Sequence, residues 1–392
     1  MTPPSVPRTV LLAVMVGHFM AAFAALGMPP FFALILEQSL NSEAHHLVGW
    51  FYVVPIAFAA LSSPWWGRLA DRYGKKKLLI RAQLGLAASF LLAGFATDIW
   101  VFFAALALQG LLGGTFAASN AYLATIASGS TLSDGMSALQ WSARAALVVA
   151  PLTLGLALQA AESSPIEMYR WLALLPLAAL ALALWLPTGN AAHEMSVVHK
   201  AVELVEAKPR QVFALQFTFV FATVVTFPYF VPYVQQRFVG LSTGIAGLLF
   251  GLPHAVYLLA ALPLTRWLAH RRRTVILAAA FAALALCLVG QALSGSLGAL
   301  IGWRVVMGLA MTAGFIALHR LIAGAVHCSS AGRAFGWFES SSKWGAVAAG
   351  LSAGFVAQTF GLGTPFFLGA AMVACAAAYL TLATRHRLRP SS

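Results

Sequence analysis

Two apolar runs near the start of the chain are joined by the polar sequence Gly67-Arg68-Leu69-Ala70-Asp71-Arg72-Tyr73-Gly74-Lys75-Lys76-Lys77. The runs cover residues 47–67 and 78–97. Each has about 20 residues, the length that an α-helix needs to cross the hydrocarbon core of a membrane. A joining segment this short and this basic predicts a tight turn between two spanning helices.

Apolar runs of the same kind fill the rest of the chain. Of its 392 residues, 60% are hydrophobic and 9% are charged, whereas a soluble domain has roughly 25% charged residues. We therefore predict an all-α integral membrane protein. Its twelve predicted transmembrane helices cover residues 9–36, 47–67, 78–97, 99–127, 135–160, 168–187, 210–234, 242–268, 275–294, 297–325, 334–360 and 363–384.

The formal net charge of +13 in isolation suggests a nucleic-acid partner, but its distribution argues against one. If the N-terminus is cytoplasmic, most Lys and Arg residues fall in segments on the inner side, and only Arg170 and Arg237 fall on the outer side. The positive-inside rule then predicts a multi-pass protein of the bacterial inner membrane, with both termini in the cytoplasm. The predicted partner of the protein is therefore the lipid bilayer and not a nucleic acid.

The two halves of the chain match when one is shifted by about 198 residues, which indicates a duplicated six-helix unit. Arg68 then falls opposite Arg266, and with one further residue of shift Arg144 meets Lys343. We predict two pseudo-symmetric six-helix bundles, with substrate between them near the bilayer midplane. The predicted units are an N-terminal bundle at 1–187, a cytoplasmic linker at 188–209 and a C-terminal bundle at 210–392.

The joining sequence closely resembles the signature loop of the major facilitator superfamily of transporters. The residues that carry the resemblance are Gly67, Arg68, Asp71, Arg72 and Gly74. It implies two six-helix bundles that work by alternating access, commonly as a monomer. It also implies that Asp71 bonds to the start of a neighbouring helix and holds the cytoplasmic side closed. The alternative is a solvated charge that only fixes topology.

A second family motif, Leu-x-x-x-Arg-x-x-Gln-Gly, is incomplete on the fourth predicted helix, where Leu106 occupies the Arg position. The tenth helix has Arg304 at that position, so the resemblance implies a part for Arg304 in substrate contact or proton coupling. Gly110 also belongs to a Gly-x-x-x-Gly pattern with Gly114, which favours close approach of helices.

The fifth predicted helix contains Ala150-Pro151-Leu152-Thr153-Leu154-Gly155. This resembles the Gly-Pro-x-x-x-Gly motif of twelve-helix antiporters, with Ala in place of the leading Gly. Pro151 and Gly155 therefore favour the drug or metabolite:proton antiporter class, and with it export.

Basic residues inside predicted spans are costly, at about 2.5–3.5 kcal/mol or more near the bilayer centre, and therefore informative. Arg144, Arg304 and Lys343 are candidate ligands for an anionic or carbonyl-bearing substrate, whereas Arg320 lies nearer a membrane surface and is expected to reach it. The alternative for Arg144 is neutralisation by Glu339 across the bundle.

Glu339 is the acid that lies well inside a predicted span, and it is our first candidate for the proton carrier. Buried carboxylates bind and release protons near neutral pH. Because Glu339 lies four residues before Lys343, a structural ion pair is the alternative. Glu37, at the outer end of the first helix, is the second candidate, with a simple interfacial residue as its alternative.

Aromatic residues on the first and seventh predicted helices are candidates to line an amphipathic cavity. The main ones are Phe23, Phe227 and Tyr229. Packing or an interfacial belt of aromatic residues is the alternative.

Two enzyme-like patterns lack the context that catalysis needs. Gly350-Leu351-Ser352-Ala353-Gly354 fits a nucleophile elbow but lies within a predicted helix. His193-Glu194 is followed by His199, which is the wrong spacing for a helical zinc site. We predict no catalytic residue, metal or cofactor.

The sequence therefore predicts a proton-coupled exporter of a small amphipathic or anionic compound, such as a drug-like metabolite or a siderophore. The balance of positive charge within the spans disfavours lipophilic cations. One alternative is a proton symporter that imports a carboxylate or similar nutrient. Another is a membrane sensor or enzyme without a transport cycle.

Overall fold

The computed structural model describes residues 7–127, 129–160, 164–188, 208–325 and 331–388, and these ranges contain helices and no strand. The fold class predicted from the sequence is confirmed. The predicted linker at 188–209 lies almost wholly outside the described residues. The helices are α1 (Arg8–Gly27), α2 (Phe32–Leu34), α3 (His46–Tyr73), α4 (Lys75–Gly94), α5 (Ile99–Leu112), α6 (Thr115–Ile126), α7 (Gly129–Ala160), α8 (Met168–Leu172), α9 (Leu174–Trp185), α10 (Pro209–Val224), α11 (Phe230–Arg237), α12 (Thr243–Trp267), α13 (Arg273–Leu293), α14 (Leu297–Ala325), α15 (Ala331–Phe360) and α16 (Thr364–Leu388).

These helices fall on the twelve predicted spans. Within the described ranges, ten segments are long and apolar enough to cross a membrane. The other two predicted spans are too short or too polar to be counted among these ten. The seventh is split into α10 and α11, of 16 and 8 residues, and α15 carries Glu339, Lys343 and other polar residues that lower its hydropathy.

Two of the predicted spans, the first and the seventh, are interrupted at proline residues. α1 is followed by a 3-10 turn at Pro29–Phe31 and later by a π-helical turn at Ile35–Ser39. The gap between α10 and α11 contains Pro228. Because proline has no N–H and its ring crowds the preceding turn, a helix at such a point loses hydrogen bonds and bends or stops.

The fourth predicted span breaks where the sequence predicted one continuous helix. α5 ends at Leu112, and α6 begins at Thr115 after Gly114, whose φ of 75° lies in the left-handed region. Glycine adopts that conformation without steric cost. The second Gly of the Gly-x-x-x-Gly pattern is therefore a helix break, and only Gly110 is a packing position.

Three side chains from neighbouring helices bind the backbone carbonyls that end α5. The Ser62 hydroxyl donates to the carbonyl of Gly110 at 3.4 Å, and Trp66 Nε1 donates to that of Leu111 at 2.6 Å. Arg81 donates to the carbonyl of Leu112 and stacks on Trp66, 3.4 Å from the ring centroid. In a membrane interior such carbonyls find no water, so these bonds stabilise the broken helix.

The chain divides into two compact units. The first comprises Met1–Glu43 and Val54–Val198, and the second comprises Ala44–Val53 and His199–Ser392. In the first unit, α1 packs on α7 and α9, and α4 packs on α5, α6 and α9. In the second, α13 packs on α14 and α16, α12 on α14, and α10 on α15. The first turns of α3 thus group with the second unit.

The contact between α5 and α3 depends on Gly110. A Cβ atom there would meet the carbonyl oxygen of Pro55 and lie 2.8 Å from the Cβ of Phe58. We expect Gly110→Ala to destabilise the protein by about 1–3 kcal/mol, because backbone atoms on α3 have to move. Thermal unfolding in detergent, followed by tryptophan fluorescence, should show a lower Tm.

Gly302 provides the matched control for this experiment. It also lies within a helix, and a Cβ there meets nothing within 4 Å. Gly302→Ala should leave Tm unchanged or raise it slightly, since alanine favours helix by about 0.5–1 kcal/mol over glycine. Equal losses for both variants would contradict the packing role of Gly110.

Candidate functional site

The predicted gating motif lies at the junction of α3 and α4. Gly67, Arg68, Asp71 and Arg72 are exposed on the last turns of α3, and Gly74 separates the helices with a φ of 95°. The Asp71 carboxylate accepts a hydrogen bond from Lys75, one turn further on. Lys75 is the first residue of α4, so this contact joins the end of α3 to the start of the next helix. The role of Asp71 in holding the cytoplasmic side closed stays a prediction.

The lysine run that follows the motif also makes a structural contact. Lys76 Nζ donates to the carbonyl of Leu184 at 2.9 Å and to that of Leu186, at the end of α9. Nearby, the Tyr122 hydroxyl donates to the carbonyl of Pro187 at 2.7 Å. A cation at a helix C-terminus is favourable because the last carbonyls have no partner within the helix. These bonds hold one end of the first unit together.

Gly74 is the position in this motif where the backbone itself requires glycine. Its φ of 95° is combined with a ψ of 146°, a region that L residues rarely occupy. We expect Gly74→Ala to cost about 1–3 kcal/mol and to lower Tm. Gly67→Ala is the control, because Gly67 is helical and a Cβ there meets nothing within 4 Å. A Gly74→Ala protein as stable as the Gly67→Ala protein would show that the junction relaxes.

The antiporter-like motif lies where α7 packs on α1. Gly27 of α1 faces it, and a Cβ at Gly27 would lie 2.6 Å from a methyl carbon of Leu154 and 2.8 Å from the Cβ of Ala150. Pro151 and Gly155 are buried in the same stretch of α7. The motif therefore forms a close helix contact within the first unit.

Two of the predicted substrate residues lie on these packed helices. Arg144 is half-buried on α7, and Phe23 is half-buried on α1. Ala143 and Ala146, which flank Arg144, pack in a cluster that includes Phe19 and Phe23. The structure thus places the stretch of α7 around Arg144 against the aromatic stretch of α1.

Two further predicted charges lie in the second unit. Lys343 is half-buried on α15, and Glu339 is exposed one turn earlier on the same helix. Glu37, in the first unit, is exposed within the π-helical turn that ends the first span. π-helical turns are often found at functional sites. The roles of Glu339 and Glu37 in proton coupling stay predictions.

Arg304 is almost completely buried, with 3% of its surface exposed. Its Nε donates to the carbonyl of Leu249 at 2.9 Å, and its Nη2 donates to the carbonyl of Phe250. The guanidinium carbon lies 4.1 Å from the ring centroid of Phe230. Sequence reasoning had not foreseen these contacts, which engage the side chain inside its own unit.

The predicted aromatic residues of the seventh span differ in their surroundings. Phe227 is half-buried, with its ring centroid 4.9 Å from that of Phe250 and 6.0 Å from that of His254. Tyr229 is completely buried, and its hydroxyl donates to the carbonyl of His45 at 3.0 Å. Phe227 thus keeps part of its ring accessible, whereas Tyr229 has a packing contact.

The hydroxyl of Tyr229 is part of a close contact between the start of α3 and α15. A Cβ at Gly49 would meet the carbonyl oxygen of Gly350 and lie 3.1 Å from the Cα of Gly354. The backbone N–H of His46 also donates to Gln358 Oε1 at 3.1 Å. Glycines on both helices therefore allow their backbones to approach within the second unit.

A further cluster of rings lies on α12 and α14. The ring centroids of Tyr257 and Phe315 are 5.9 Å apart, and Phe315 stacks on His319 at 5.9 Å. Tyr257 and Phe315 are half-buried, and His319 is exposed. The sequence feature that indicates this cluster is the spacing of Phe315 and His319, which are four residues apart and so lie on one helix face.

A model of the Major Facilitator Superfamily matches residues 14–255 and 212–392. The chain belongs to this superfamily. The family predicted from the loop at Gly67–Lys77 is confirmed, and this superfamily member is a multi-pass membrane transporter.

Relatives named multidrug resistance protein MdtG, from Erwinia billingiae and Salmonella arizonae, are 39% identical to it over 112 and 132 residues. The matched stretches cover 28% and 32% of this chain and 27% and 32% of the relatives. The match therefore spans about a third of the length of these relatives.

Three solved transporter structures show the same fold. A nucleoside transporter, NupG, matches with a TM-score of 0.78 at 13% identity, over 95% of this chain and 99% of its own. A D-xylose-proton symporter matches with a TM-score of 0.74 at 15% identity, over 96% and 97%. The human organic anion transporter MFSD10 (TETRAN) has a TM-score of 0.67 at 18% identity, over 97% and 100%.

Proposed function

We propose that this transporter is a proton-coupled exporter of small amphipathic or anionic compounds, including drug-like metabolites and siderophores, and that it works by alternating access. The observation that carries the proposal is its likeness, over part of its length, to relatives named as multidrug resistance proteins. The antiporter-like motif around Pro151 and Gly155 lies where α7 packs closely on α1, which is consistent with export.

The charges of the spans support an anionic substrate. Arg144 and Lys343 are half-buried on α7 and α15, where a cation is expensive to place in the bilayer. Guanidinium and ammonium groups bind a substrate carboxylate through charge-assisted hydrogen bonds. We propose that Arg144 and Lys343 bind the anionic part of the substrate and that Phe23 and Phe227 contact its apolar part.

We further propose that Glu339 carries the coupled proton, with Glu37 as the second candidate. A carboxyl group on a spanning helix can alternate between a neutral and a charged form as its surroundings change. The motif Gly67, Arg68, Asp71, Arg72 and Gly74 would control opening on the cytoplasmic side. The protein would act as a monomer in a bacterial inner membrane, with both termini in the cytoplasm.

Flux into inside-out membrane vesicles tests direction, coupling and charge preference together. The vesicles are given a pH gradient and two dyes of similar size, the anionic carboxyfluorescein and the cationic rhodamine 6G. Export predicts that the gradient drives accumulation of the anionic dye and that a protonophore abolishes it. Vesicles made without the transporter are the control.

The other outcomes identify the alternatives. Accumulation only in right-side-out vesicles would indicate uptake by proton symport. Preference for rhodamine 6G would contradict the anionic substrate class. If neither these dyes nor iron-chelating siderophores moved in proteoliposomes of folded protein, a sensor without a transport cycle would replace the proposal.

A further inference from the structure

Pro253 leaves a backbone carbonyl of α12 without its usual partner. In an α-helix the N–H of a residue donates to the carbonyl four residues earlier, and proline has no N–H. Pro253 lies inside α12, so the unpaired carbonyl is that of Leu249. The proline ring also crowds this turn, which includes Phe250. Inside a bilayer no water is present to satisfy such groups.

Arg304 on α14 binds these two carbonyls. Its Nε donates to the oxygen of Leu249 at 2.9 Å, and its Nη2 donates to the oxygen of Phe250. The acceptors are the carbonyl that Pro253 leaves unpaired and the one that follows it. A planar guanidinium suits two adjacent carbonyls because its donors form a fixed fork.

The remaining contacts of Arg304 come from the same unit. Nη1 lies 3.4 Å from Gln291 Oε1 and 3.8 Å from the Met307 sulfur. The guanidinium also lies over the ring of Phe230, at 4.1 Å. Gln291 is itself fully buried, and its amide donates to the carbonyl of Cys287 at 3.1 Å. Backbone carbonyls, a side-chain amide and an aromatic face together surround this buried cation.

We propose that Arg304 is a positioning residue that clamps the proline-interrupted turn of α12, and that it is not a substrate ligand. Through Phe250 the clamp fixes the neighbouring ring of Phe227, 4.9 Å away. It likewise fixes His254, the residue after Pro253, whose ring is 6.0 Å from that of Phe227. The contribution of Arg304 to stability should then depend on the presence of Pro253, although the two residues lie on different helices.

This dependence is measurable as coupling between two substitutions. In the full-length protein in detergent, Arg304→Met should lower Tm by about 5–10 °C, because two carbonyls lose their donors. In a Pro253→Ala background, the introduced alanine supplies a backbone N–H to the carbonyl of Leu249. Arg304→Met should then lower Tm by less than half as much. Arg304→Lys keeps the positive charge but loses the forked donor geometry of the guanidinium. Its Tm should lie between that of the native protein and that of Arg304→Met.

Pro263 is the matched control because it lies in the same helix. Pro263 has no N–H to donate to the carbonyl of Leu259, a residue that is 81% exposed. A Pro263→Ala background should therefore leave the effect of Arg304→Met unchanged. If Arg304→Met lowered Tm by the same amount in the native, Pro253→Ala and Pro263→Ala backgrounds, the proposal would be overturned.

Amide hydrogen exchange supplies a local readout that a general loss of stability would not reproduce. Arg304→Met should speed exchange selectively in peptides from α12 around residues 249–257, and Pro253→Ala should reverse this. If Arg304→Met gave no folded protein, the double variant with Pro253→Ala should restore it, and failure to do so would count against the clamp. Unchanged Tm and unchanged exchange in Arg304→Met would also overturn it.

Discussion

Replacing Arg144 by glutamine is expected to lower the apparent affinity for an anionic substrate by about 10–100-fold. A hydrogen bond to a charged group contributes about 1.5–3 kcal/mol, and each 1.4 kcal/mol corresponds to a factor of ten in binding. Arg144 is half-buried on α7, beside a stretch that packs against Phe19 and Phe23 of α1. Concentration-dependent uptake of carboxyfluorescein into inside-out vesicles measures the change as a higher KM.

Two further variants separate substrate binding from structure. Arg144→Lys keeps the positive charge and should retain more of the affinity than Arg144→Gln, although it loses bidentate geometry. Tm of each variant shows whether the helix packing is intact. A folded Arg144→Gln protein with the native KM for the anionic dye would contradict the assignment. An equal loss of transport for an uncharged compound would also contradict it, since charge would then not be the cause.

Helix positions were readable from the sequence because they depend on local properties. Hydropathy over about 20 residues reports burial in lipid, so the twelve spans could be placed. Proline alone does not place the interruptions. Helices are broken near Pro29 and Pro228, but α3, α7 and α12 continue through Pro55, Pro151 and Pro253.

The break at Gly113 and Gly114 could not be read in the same way. Gly110 and Gly114 have the same side chain and the usual spacing of a packing motif. In the structure, a Cβ at Gly110 would collide with α3, whereas Gly114 has a φ of 75° and an open space beside it. The difference depends on Ser62, Trp66 and Arg81, which bind the freed carbonyls from other helices.

Contacts of the candidate site residues were also not predictable from the sequence. Arg144 and Arg304 are both arginines inside predicted spans, and sequence reasoning gave them the same candidate role. In the structure, Arg304 binds carbonyls on α12 that are 54 and 55 residues away along the chain. Such partners are set by tertiary packing, which residue spacing does not reveal. Lys76 is similar, since its partner carbonyl at Leu184 is 108 residues away.

Replacing Glu339 by glutamine is expected to abolish accumulation driven by a pH gradient while leaving exchange of substrate across the membrane. Glutamine has nearly the same shape as a protonated glutamate but cannot release or take up a proton. The transporter could then still carry substrate in both directions but could not be driven by protons. Glu339 is exposed on α15, one turn before Lys343 on the same helix face.

Counterflow of labelled substrate in proteoliposomes measures exchange, and accumulation under an imposed pH gradient measures coupling. Glu37→Gln is the matched control, because Glu37 is also exposed but lies in the π-helical turn that ends the first span. Loss of both activities in a folded Glu339→Gln protein would indicate a role in binding or structure, and full pH-driven accumulation would exclude Glu339 as the carrier. If Glu37→Gln alone lost accumulation and kept counterflow, the proton would have to be carried at Glu37, near the end of the first span, and not on the same helix face as Lys343.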